Sequence, residues 1–285
     1  MADLYNETIT IMKKFGISAN KNLGQNFLID NEAVEKIIES SNITKDDLII
    51  EIGPGLGVLT KHLIEKAGKV IAIELDSRMV SFIEERFKFT KNLEIVNDDI
   101  LRVDLEKLIK ENKLTGDVKI VANLPYYITT PIVMKLLEME LDIKSITIMI
   151  QKEVAERFLV RPGEKHCGAI TVGIHFYSKP IEIMQVSKNS FIPIPEVDST
   201  VIRLDVLEEP PIKIIDKKVL FDIVKVAFGQ RRKTLNNCLI NSNIFKSKIE
   251  VEDMLKKLDI DGNRRGETLV LEEFEKLTNY ILKNN

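Results

Sequence analysis

The residues best suited to chemistry in this chain form one short stretch, Asn123-Leu124-Pro125-Tyr126. Its amide and backbone carbonyl oxygens can accept hydrogen bonds from an amino group, and the tyrosine ring can stack on a flat ring. The stretch has no carboxylate, imidazole or amine that could serve as a strong base. We therefore predict that it holds and aligns a flat heterocycle that carries an amino group.

The elements around this stretch place it at the edge of a sheet. Residues 118–122 are apolar and predict a buried strand, whereas residues 127–137 predict the start of a helix. In an open α/β sheet, the carboxyl ends of parallel strands face the ligand crevice. The stretch is therefore expected to face that crevice.

A nucleotide-binding pattern precedes it in the chain. The apolar strand 48–52 runs into Gly53-Pro54-Gly55-Leu56-Gly57, a helix follows, and the next strand, 70–73, is closed by Glu74. The glycines let the backbone approach a ligand at the start of the helix, and the carboxylate can accept hydrogen bonds from ribose hydroxyls. Val58 stands where a dinucleotide fingerprint has a glycine, so the pattern favours an adenosine-type ligand without a pyrophosphate over NAD.

A third predicted strand, 92–96, ends in Asn97-Asp98-Asp99. If this strand continues the same sheet, Asp99 can accept a hydrogen bond from an adenine amino group. The alternative is that Asp99 only caps the segment that follows it. The residues alone leave both interpretations open.

The proline-bearing loop 191–198 is expected to hold Phe191 at a set position, because Pro193 and Pro195 fix the backbone. Phe191 then either closes one face of a bound ring or anchors the loop as a buried side chain. Further elements are predicted around this loop: strands over 145–150, 170–177, 181–186 and 199–206, and a helix over 152–159.

The chain of 285 residues, 44% hydrophobic and 30% charged, is long enough for one large domain and a small one. Residues 208–211 are charged and contain prolines, which predicts a linker, and only helical patterns follow them. We expect an N-terminal extension over 1–21, an α/β catalytic domain over 22–207 and a helical domain over 208–285.

A net charge of −3 argues against nucleic-acid binding when it is taken alone, but local clusters matter more. Basic residues gather around Arg157 and in Arg231-Arg232-Lys233, and each cluster is either a nucleic-acid contact or a solvated face. Cys167 and Cys238 lie far apart, so we expect neither a disulfide nor a metal site. No apolar run predicts a membrane span or a signal peptide, so we expect a cytoplasmic protein.

Taken together, six stretches closely resemble the ribosomal RNA adenine N6-dimethyltransferase family. They extend from residue 22 to residue 233 and so cover nearly the whole chain. The matching stretches are Asn22 to Leu28, Glu51 to Gly57, Asn123 to Tyr126, Gln151 to Arg157, Pro193 to Ser199 and Phe228 to Lys233.

This resemblance implies a class I (Rossmann-like) methyltransferase sheet of seven strands, one of them antiparallel, with a small all-helical C-terminal domain. It also implies S-adenosyl-L-methionine as the methyl donor. Cofactor contacts are implied for Asn26, Leu28, Gly53, Gly55, Glu74, Asp99 and Asn123. The residues implied to act on the target adenine are Asn123, Leu124, Pro125, Tyr126 and Phe191, and those expected to bind RNA are Arg157, Arg231, Arg232 and Lys233.

Leu124, Asp198 and the run Phe228 to Lys233 favour the branch that dimethylates two adjacent adenines near the 3′ end of small-subunit (16S) ribosomal RNA during ribosome biogenesis. Tyr127 departs from the Asn often found at that place, and because it follows the core motif we expect the chemistry to be intact. The expected partner is small-subunit RNA within a partly assembled 30S ribosomal subunit. We expect a monomer that needs neither a metal nor a membrane.

Three alternatives stay open. The first is an adenine methyltransferase acting on DNA or on large-subunit ribosomal RNA, the latter being the antibiotic-resistance branch of the family. The second is a ribosome-assembly factor that acts mainly by binding. The third, a dehydrogenase, is disfavoured by Val58.

Overall fold

The structure, a computed structural model, describes residues 4–20, 23–230, 232–242, 244–245 and 247–284. The chain divides into two compact units: the first comprises residues 1–155 and 179–206, and the second comprises 156–178 and 207–285. The predicted domain boundaries differ from this division, because the expected N-terminal extension 1–21 belongs to the first unit, whereas 156–178 and residue 207 belong to the second. Within the described ranges, no helix has both the length and the apolar character needed to cross a membrane.

The strands follow the apolar runs of the sequence closely. They are β1 (Phe27–Leu28), β2 (Leu48–Ile52), β3 (Lys69–Glu74), β4 (Leu93–Asn97), β5 (Val118–Asn123), β6 (Ser145–Gln151), β7 (Ser178–Val186), β8 (Phe191–Ile192) and β9 (Ser199–Val206). Seven of them form one sheet in the order β4-β3-β2-β5-β6-β9-β7, and β1 pairs with β8 separately.

The sheet is parallel from β4 to β6, and β9 runs antiparallel to β6. Every residue of β2 is buried, as are five of the six residues of β5. Burial along a whole strand is typical of parallel strands that are covered on both faces, and here it includes the polar residues Glu51 and Lys119. The implied class I methyltransferase sheet of seven strands is confirmed, and β9 is a strand that runs antiparallel to its neighbour β6.

The register of β2, β3 and β5 aligns their carboxyl ends. Ile52 of β2 pairs with Ile73 of β3 on one side and with Ala122 of β5 on the other. Because the three strands are parallel and in step, the residues that follow these positions emerge at one edge of the sheet. Gly53, Glu74 and Asn123 are those residues.

Helices connect the strands of the first unit. They are α1 (Leu4–Phe15), α2 (Asn31–Ser40), α3 (Val58–Lys66), α4 (Ser77–Arg86), α5 (Leu105–Asn112), α6 (Thr129–Glu138) and α7 (Lys152–Leu159), of which α7 ends in the second unit. Apolar residues of α2 and α3 pack in one cluster with Ile49, Val121 and Met149 of the sheet. On α4, Phe82 meets Phe15 of α1 edge to face, with 4.9 Å between ring centroids.

The second unit is helical. Its remaining helices are α8 (Ala169–Tyr177), α9 (Lys217–Gly229), α10 (Leu235–Ile240), α11 (Lys248–Lys257) and α12 (Leu271–Asn284). They share one buried cluster that includes Phe176, Leu220, Leu235, Met254 and Phe274. The helical pattern predicted after residue 211 therefore corresponds to a unit with its own core.

Two predictions of local structure were wrong. Residues 170–177 form helix α8 rather than a strand, because a short apolar run has the same pattern in a buried helix as in a buried strand. Val172, Ile174 and Phe176 of this helix are all fully buried, so no polar face marks the helical period. The segment predicted as a loop over 191–198 begins with strand β8, which pairs with β1.

Candidate active site

One cleft lies at the carboxyl edge of the parallel strands, and all eleven residues implied for the cofactor or the target adenine line it. It lies wholly within the first unit. The cleft is lined by residues 23–28, 51–56, 58–59, 73–75, 98–100, 123–128, 132 and 191.

The turn after β2 depends on its glycines. Gly53, Gly55 and Gly57 have φ values of 67°, 56° and 74°, a region that side chains other than glycine rarely adopt. A Cβ atom at Gly57 would also lie 2.7 Å from the ring of Phe87. This turn, residues 53–57, is called the glycine turn below; through Gly53 and Gly55 it presents bare backbone to the cleft.

Glu74, at the end of β3, is held by backbone amides. Its Oε1 accepts a hydrogen bond from the Asp76 amide at 2.9 Å, and its Oε2 accepts one from the Gly55 amide at 3.1 Å. The residue is only 6% exposed, and burial raises the pKa of its carboxyl above the ordinary value although these amides act in the opposite direction. The structure thus places a fixed acceptor beside the glycine turn.

Asp76, two residues after Glu74, is a second carboxylate that is held by hydrogen bonds. It accepts hydrogen bonds from the guanidinium of Arg78 at 2.6 Å and from the Gln25 amide nitrogen at 3.1 Å. The hydrogen bond from Arg78 is the largest cause that lowers the pKa of Asp76. Gln25 itself accepts from the Asn20 backbone amide, so the segment before β1 is tied to the start of α4.

A further buried carboxyl, Glu51 of β2, was quoted in the motif but not predicted as a site residue. It is 1% exposed, lines the cleft and accepts a 2.6 Å hydrogen bond from the Thr60 hydroxyl. Burial raises its pKa to about 8; the bond from Thr60 opposes this shift and the nearby charge of Glu74 adds to it. A glutamate inside an otherwise apolar strand was the signal that could have identified it.

Asp99 lines the cleft, but its carboxylate is also engaged locally. Oδ1 accepts from the Leu101 amide at 2.9 Å, and the Arg102 side chain lies 3.9 Å from Oδ2. The capping interpretation of Asp99 therefore has a geometric basis. It does not remove Asp99 from the cleft, so the predicted contact with an adenine amino group stays a prediction.

The side chain of Asn123 is oriented by a hydrogen bond to the backbone of Asn26. Its amide nitrogen donates to the Asn26 carbonyl oxygen at 3.3 Å, and Asn26 in turn donates from its side chain to the Gly24 carbonyl oxygen at 3.0 Å. This hydrogen bond involves the amide nitrogen of Asn123 and does not involve its oxygen Oδ1, which is available to a ligand donor. Two of the residues predicted from separate motifs are thus in direct contact.

The two carbonyls that follow Asn123 differ in what they bind. The Pro125 oxygen accepts from the Ile128 amide at 3.3 Å and from the Thr129 hydroxyl at 3.1 Å, which begins helix α6. Among the hydrogen bonds of the described residues, none reaches the Leu124 oxygen, although the Leu124 amide donates to Met149. Leu124 therefore offers the available acceptor of the pair.

The two predicted aromatic residues sit differently. The Tyr126 hydroxyl lies 2.7 Å from the Ser199 hydroxyl, and burial raises the pKa of Tyr126. Phe191 is 1% exposed and belongs to the apolar cluster that also contains Leu28, its strand partner. Phe191 therefore both anchors its loop in the core and lines the cleft, so the two interpretations of this residue are not exclusive.

The residues predicted to contact RNA are on the surface of the second unit where they are described. Arg157 is exposed on α7, and Arg232 and Lys233 are exposed in the turn after α9. Arg231 lies outside the described residues, as does Asn22 of the first matching stretch. Leu75, half exposed at the end of β3, also lines the cleft, and its apolar side chain next to Glu74 was overlooked.

A parallel sheet with one antiparallel strand, a glycine turn after the first long strand and a carboxylate after the next define a Rossmann-like methyltransferase. The sequence model of the family described as "Ribosomal RNA adenine dimethylase" matches residues 16–283. The chain belongs to this family and is therefore an enzyme.

Similar proteins agree with this assignment. A "Ribosomal RNA small subunit methyltransferase A" from Clostridium botulinum is 48% identical over 274 residues, which cover 96% of this chain and 98% of that protein. The protein of the same name from Alkaliphilus oremlandii is 44% identical over 277 residues, which cover 97% of this chain and 96% of that protein.

Solved structures are similar over most of the chain. A dimethyladenosine transferase from Plasmodium falciparum has a TM-score of 0.77 and 28% identity, covering 90% of this chain and 98% of that chain. The 23S rRNA methyltransferase ErmE has a TM-score of 0.68 and 25% identity, covering 91% of this chain and 100% of that chain. The first of these structures is named for a dimethyladenosine transferase and the second for a methyltransferase of 23S rRNA.

Proposed function

We propose that this enzyme transfers methyl groups from S-adenosylmethionine to the N6 amino groups of two adjacent adenines near the 3′ end of small-subunit ribosomal RNA. One observation carries the proposal: Asn123 Oδ1 and the Leu124 carbonyl, two neutral acceptors, stand at the same sheet edge as Glu74 and the glycine turn. Acceptors without a strong base suit an amine that needs alignment rather than deprotonation. The names of the curated relatives support small-subunit RNA as the substrate.

The residues of the cleft fit S-adenosylmethionine. Glu74 offers carboxylate oxygens that are fixed by backbone amides, which suits the hydroxyls of a ribose. Gly53 and Gly55 leave room for a ligand to approach the backbone, and Leu75 offers an apolar contact for an adenine ring. When bound, the cofactor supplies an electrophilic methyl group.

The chemistry assigned to the adenine end is polarisation. The adenine amino nitrogen is a poor nucleophile because its lone pair is delocalised into the ring. When Asn123 Oδ1 and the Leu124 carbonyl oxygen accept both amino hydrogens, they direct the lone pair out of the plane and stabilise the positive charge that grows on nitrogen. Pro125, whose carbonyl oxygen accepts hydrogen bonds from Ile128 and Thr129 at the start of α6, contributes its ring and the shape of the turn instead.

Aromatic side chains hold the extruded base. Tyr126 stacks on the adenine, and its bond with Ser199 fixes the ring in place. Phe191 closes the other face from its buried position. The alignment of the amino group with the methyl donor supplies several kcal/mol of the reduction in barrier.

RNA binding is assigned to the basic residues of the second unit. Arg157, Arg231, Arg232 and Lys233 suit contact with phosphates, which gives affinity without reading sequence. Because the whole protein has a net charge of −3, such local contacts favour a shaped ribonucleoprotein over bare RNA. A partly assembled 30S subunit is the partner that we propose, bound by a single copy of the enzyme in the cytoplasm.

The test is incubation with methyl-labelled S-adenosylmethionine and four substrates: unmodified small subunits, naked small-subunit RNA, large subunits and DNA. Nuclease digestion and mapping then locate the label. We expect dimethyladenosine at two adjacent positions near the 3′ end of the small-subunit RNA, and only when subunits are supplied. Label in large-subunit RNA would favour the other branch of the family, and no labelled dimethyladenosine at all would overturn the proposal.

A further inference from the structure

Arg86, the last residue of α4, is not among the residues that line the cleft, yet it contacts the glycine turn directly. Its Nη1 donates to the Leu56 carbonyl oxygen at 2.7 Å, and its Nη2 donates to the Glu7 carboxylate at 2.6 Å. The guanidinium also lies 5.4 Å from the centroid of the Phe87 ring. One side chain thus joins the glycine turn, helix α1 and the end of α4.

This arrangement is specific to an arginine. The Arg86 side chain is 18% exposed and the Glu7 side chain 31% exposed, so a charge largely withdrawn from water must be compensated by well-placed partners. The planar guanidinium donates in two directions at once, whereas a lysine ammonium is a point charge on a flexible stem. Glu7 and Leu56 occupy those two directions.

The glycine turn needs anchors of this kind. A segment with three glycines at positive φ loses more conformational entropy on ordering than an ordinary loop. The Leu56 side chain, 1% exposed, packs with Phe82 and Ile83 of α4, and its carbonyl is held by Arg86. On the cleft side, Glu74 holds the Gly55 amide.

Phe87 reinforces the same contact. Its ring stands so close to Gly57 that a Cβ there would lie 2.7 Å from it. The consecutive residues Arg86 and Phe87 therefore touch consecutive residues of the turn, one through a carbonyl oxygen and the other through the bare Cα of a glycine.

We propose that Arg86 is a positioning residue for the cofactor. Held by Glu7, it keeps the glycine turn in the shape that binds the adenosine-type ligand, and it thereby gives helix α1 a part in cofactor affinity. A turn that is already ordered binds with less loss of entropy than one that must be ordered by the ligand. This inference rests on the proposed use of S-adenosylmethionine.

The test is calorimetric titration of the full chain with S-adenosylhomocysteine, the demethylated cofactor, which binds without turnover. Arg86→Met removes both hydrogen bonds and is expected to raise the Kd about tenfold. Arg86→Lys keeps the positive charge but loses the two-pronged guanidinium, and it is expected to raise the Kd about threefold. Lys88→Met is the matched control, because it removes only surface contacts, an exposed pair with Glu85 and a contact with the exposed Phe89 ring, and its Kd should stay within about twofold of wild type.

A charge swap separates positioning of the turn from simple attachment of α1. In the double variant Glu7→Arg, Arg86→Glu the ion pair is restored, but position 86 no longer has a donor for the Leu56 carbonyl. We expect the Kd to remain at least about fivefold above that of wild type. Recovery of wild-type affinity in the swap would mean that Arg86 only fastens α1, and the proposal would be wrong.

Hydrogen exchange of the ligand-free protein gives a readout that does not depend on the cofactor. Arg86→Met should speed exchange of the amides of Gly53, Gly55, Leu56 and Gly57, with a smaller change for Glu7→Gln, which keeps an acceptor for Arg86. Unchanged exchange in the turn, or a Kd within about twofold of wild type for Arg86→Met, would overturn the proposal.

Stability and wild-type binding complete the design. If Arg86→Met is too unstable to titrate, the test rests on Arg86→Lys, which retains the charge. A Kd about threefold above that of wild type would support the proposal, and a Kd equal to that of wild type would overturn it. If the wild-type chain itself does not bind S-adenosylhomocysteine, the proposed cofactor is wrong, whereas the exchange experiment still tests whether Arg86 orders the turn.

Discussion

The two ends of the cleft use polar groups in opposite ways. At the cofactor end, Glu74 and Asp76 are already held by amides of the protein and by Arg78. At the proposed adenine end, within the described part of the chain, Asn123 donates a hydrogen bond through its nitrogen while its Oδ1 and the Leu124 carbonyl oxygen accept none. At one end the carboxylates already accept hydrogen bonds from the protein, whereas at the other end the acceptors are available to a ligand.

This difference predicts separable consequences. Groups that are fixed before the ligand arrives contribute binding energy to ground state and transition state alike, so their loss raises Kd or KM. Acceptors that meet an amino group as its charge grows contribute mainly to the rate. Substitutions at the cofactor end should therefore change affinity, and those at the adenine end should change turnover.

Phe191 belongs both to the core and to the cleft, so its substitution should affect stability as well as turnover, and it has the largest expected effect on the free energy of unfolding. Phe191→Ala should lower the free energy of unfolding by about 3–5 kcal/mol, because the side chain is fully buried in the cluster with Leu28. Chemical denaturation measures it. Phe89→Ala, at a ring that is 88% exposed, is the control and should change stability by less than about 0.5 kcal/mol.

Phe191→Leu refines that test, because it fills much of the same volume without an aromatic face. If this variant folds and turns over at the wild-type rate, stacking by Phe191 is not needed. A well-folded variant with reduced turnover would support a role of the ring at the adenine.

Glu74→Ala should weaken cofactor binding by about tenfold to a hundredfold, since hydrogen bonds to a charged group contribute about 1.5–3 kcal/mol. At saturating cofactor the turnover number should stay near that of wild type. Calorimetry with S-adenosylhomocysteine and steady-state kinetics give the two quantities. Glu94→Ala, which removes a partner of Lys69 on the neighbouring strand, is the control, and an equal loss in turnover would contradict the division.

Tyr126 allows stacking and hydrogen bonding to be compared. Tyr126→Ala should reduce kcat/KM for the RNA substrate by roughly fivefold to a hundredfold, because stacking of a base on an aromatic ring contributes about 1–3 kcal/mol. Tyr126→Phe loses only the bond with Ser199 and should cost less, about 0.5–1.5 kcal/mol. Equal losses in the two variants would mean that the hydroxyl, not the ring face, matters.

Glu51 supplies a pH dependence at the cofactor end. Its folded pKa of about 8 lies above the ordinary glutamate value, so the folded state binds more protons than the unfolded state between these two pKa values. The free energy of unfolding should therefore fall as pH rises toward 8, by at most about 1.4 kcal/mol per pH unit from this group. Denaturation of wild type and Glu51→Gln at pH 5 to about 8.5 measures it, and identical slopes would refute the shift.

The sheet and the members of the site could be predicted from the sequence because each is encoded locally. The strands β2, β3 and β5 are predominantly apolar, and Gly53, Glu74 and Asn123 directly follow their last apolar residues. Parallel pairing then brings Gly53, Glu74 and Asn123 to one edge whatever the loops do.

What could not be predicted depends on contacts between distant parts of the chain. The pairing of β1 with β8 joins residues 27–28 to 191–192, and two-residue strands have no periodicity to detect. The bonds from Arg86 to Leu56 and to Glu7 span 30 and 79 positions and involve a backbone carbonyl that has no sequence signature. Helix α8 was predicted wrongly for a different reason, since four consecutive residues, 171–174, and Phe176 are all buried and leave no clear helical period.

Asn123→Ala tests the central claim most directly. The same preparation is used to measure turnover with unmodified small subunits and the Kd for S-adenosylhomocysteine. Asn92→Ala is the control, because the Asn92 side chain donates to the Ile64 and Ala67 carbonyls just before β4, away from the cleft. We predict that the rate of Asn123→Ala falls more than tenfold, a loss above about 1.4 kcal/mol, while Kd changes less than about threefold. A variant that keeps more than about a tenth of the wild-type rate would contradict the role of Asn123 in the chemical step.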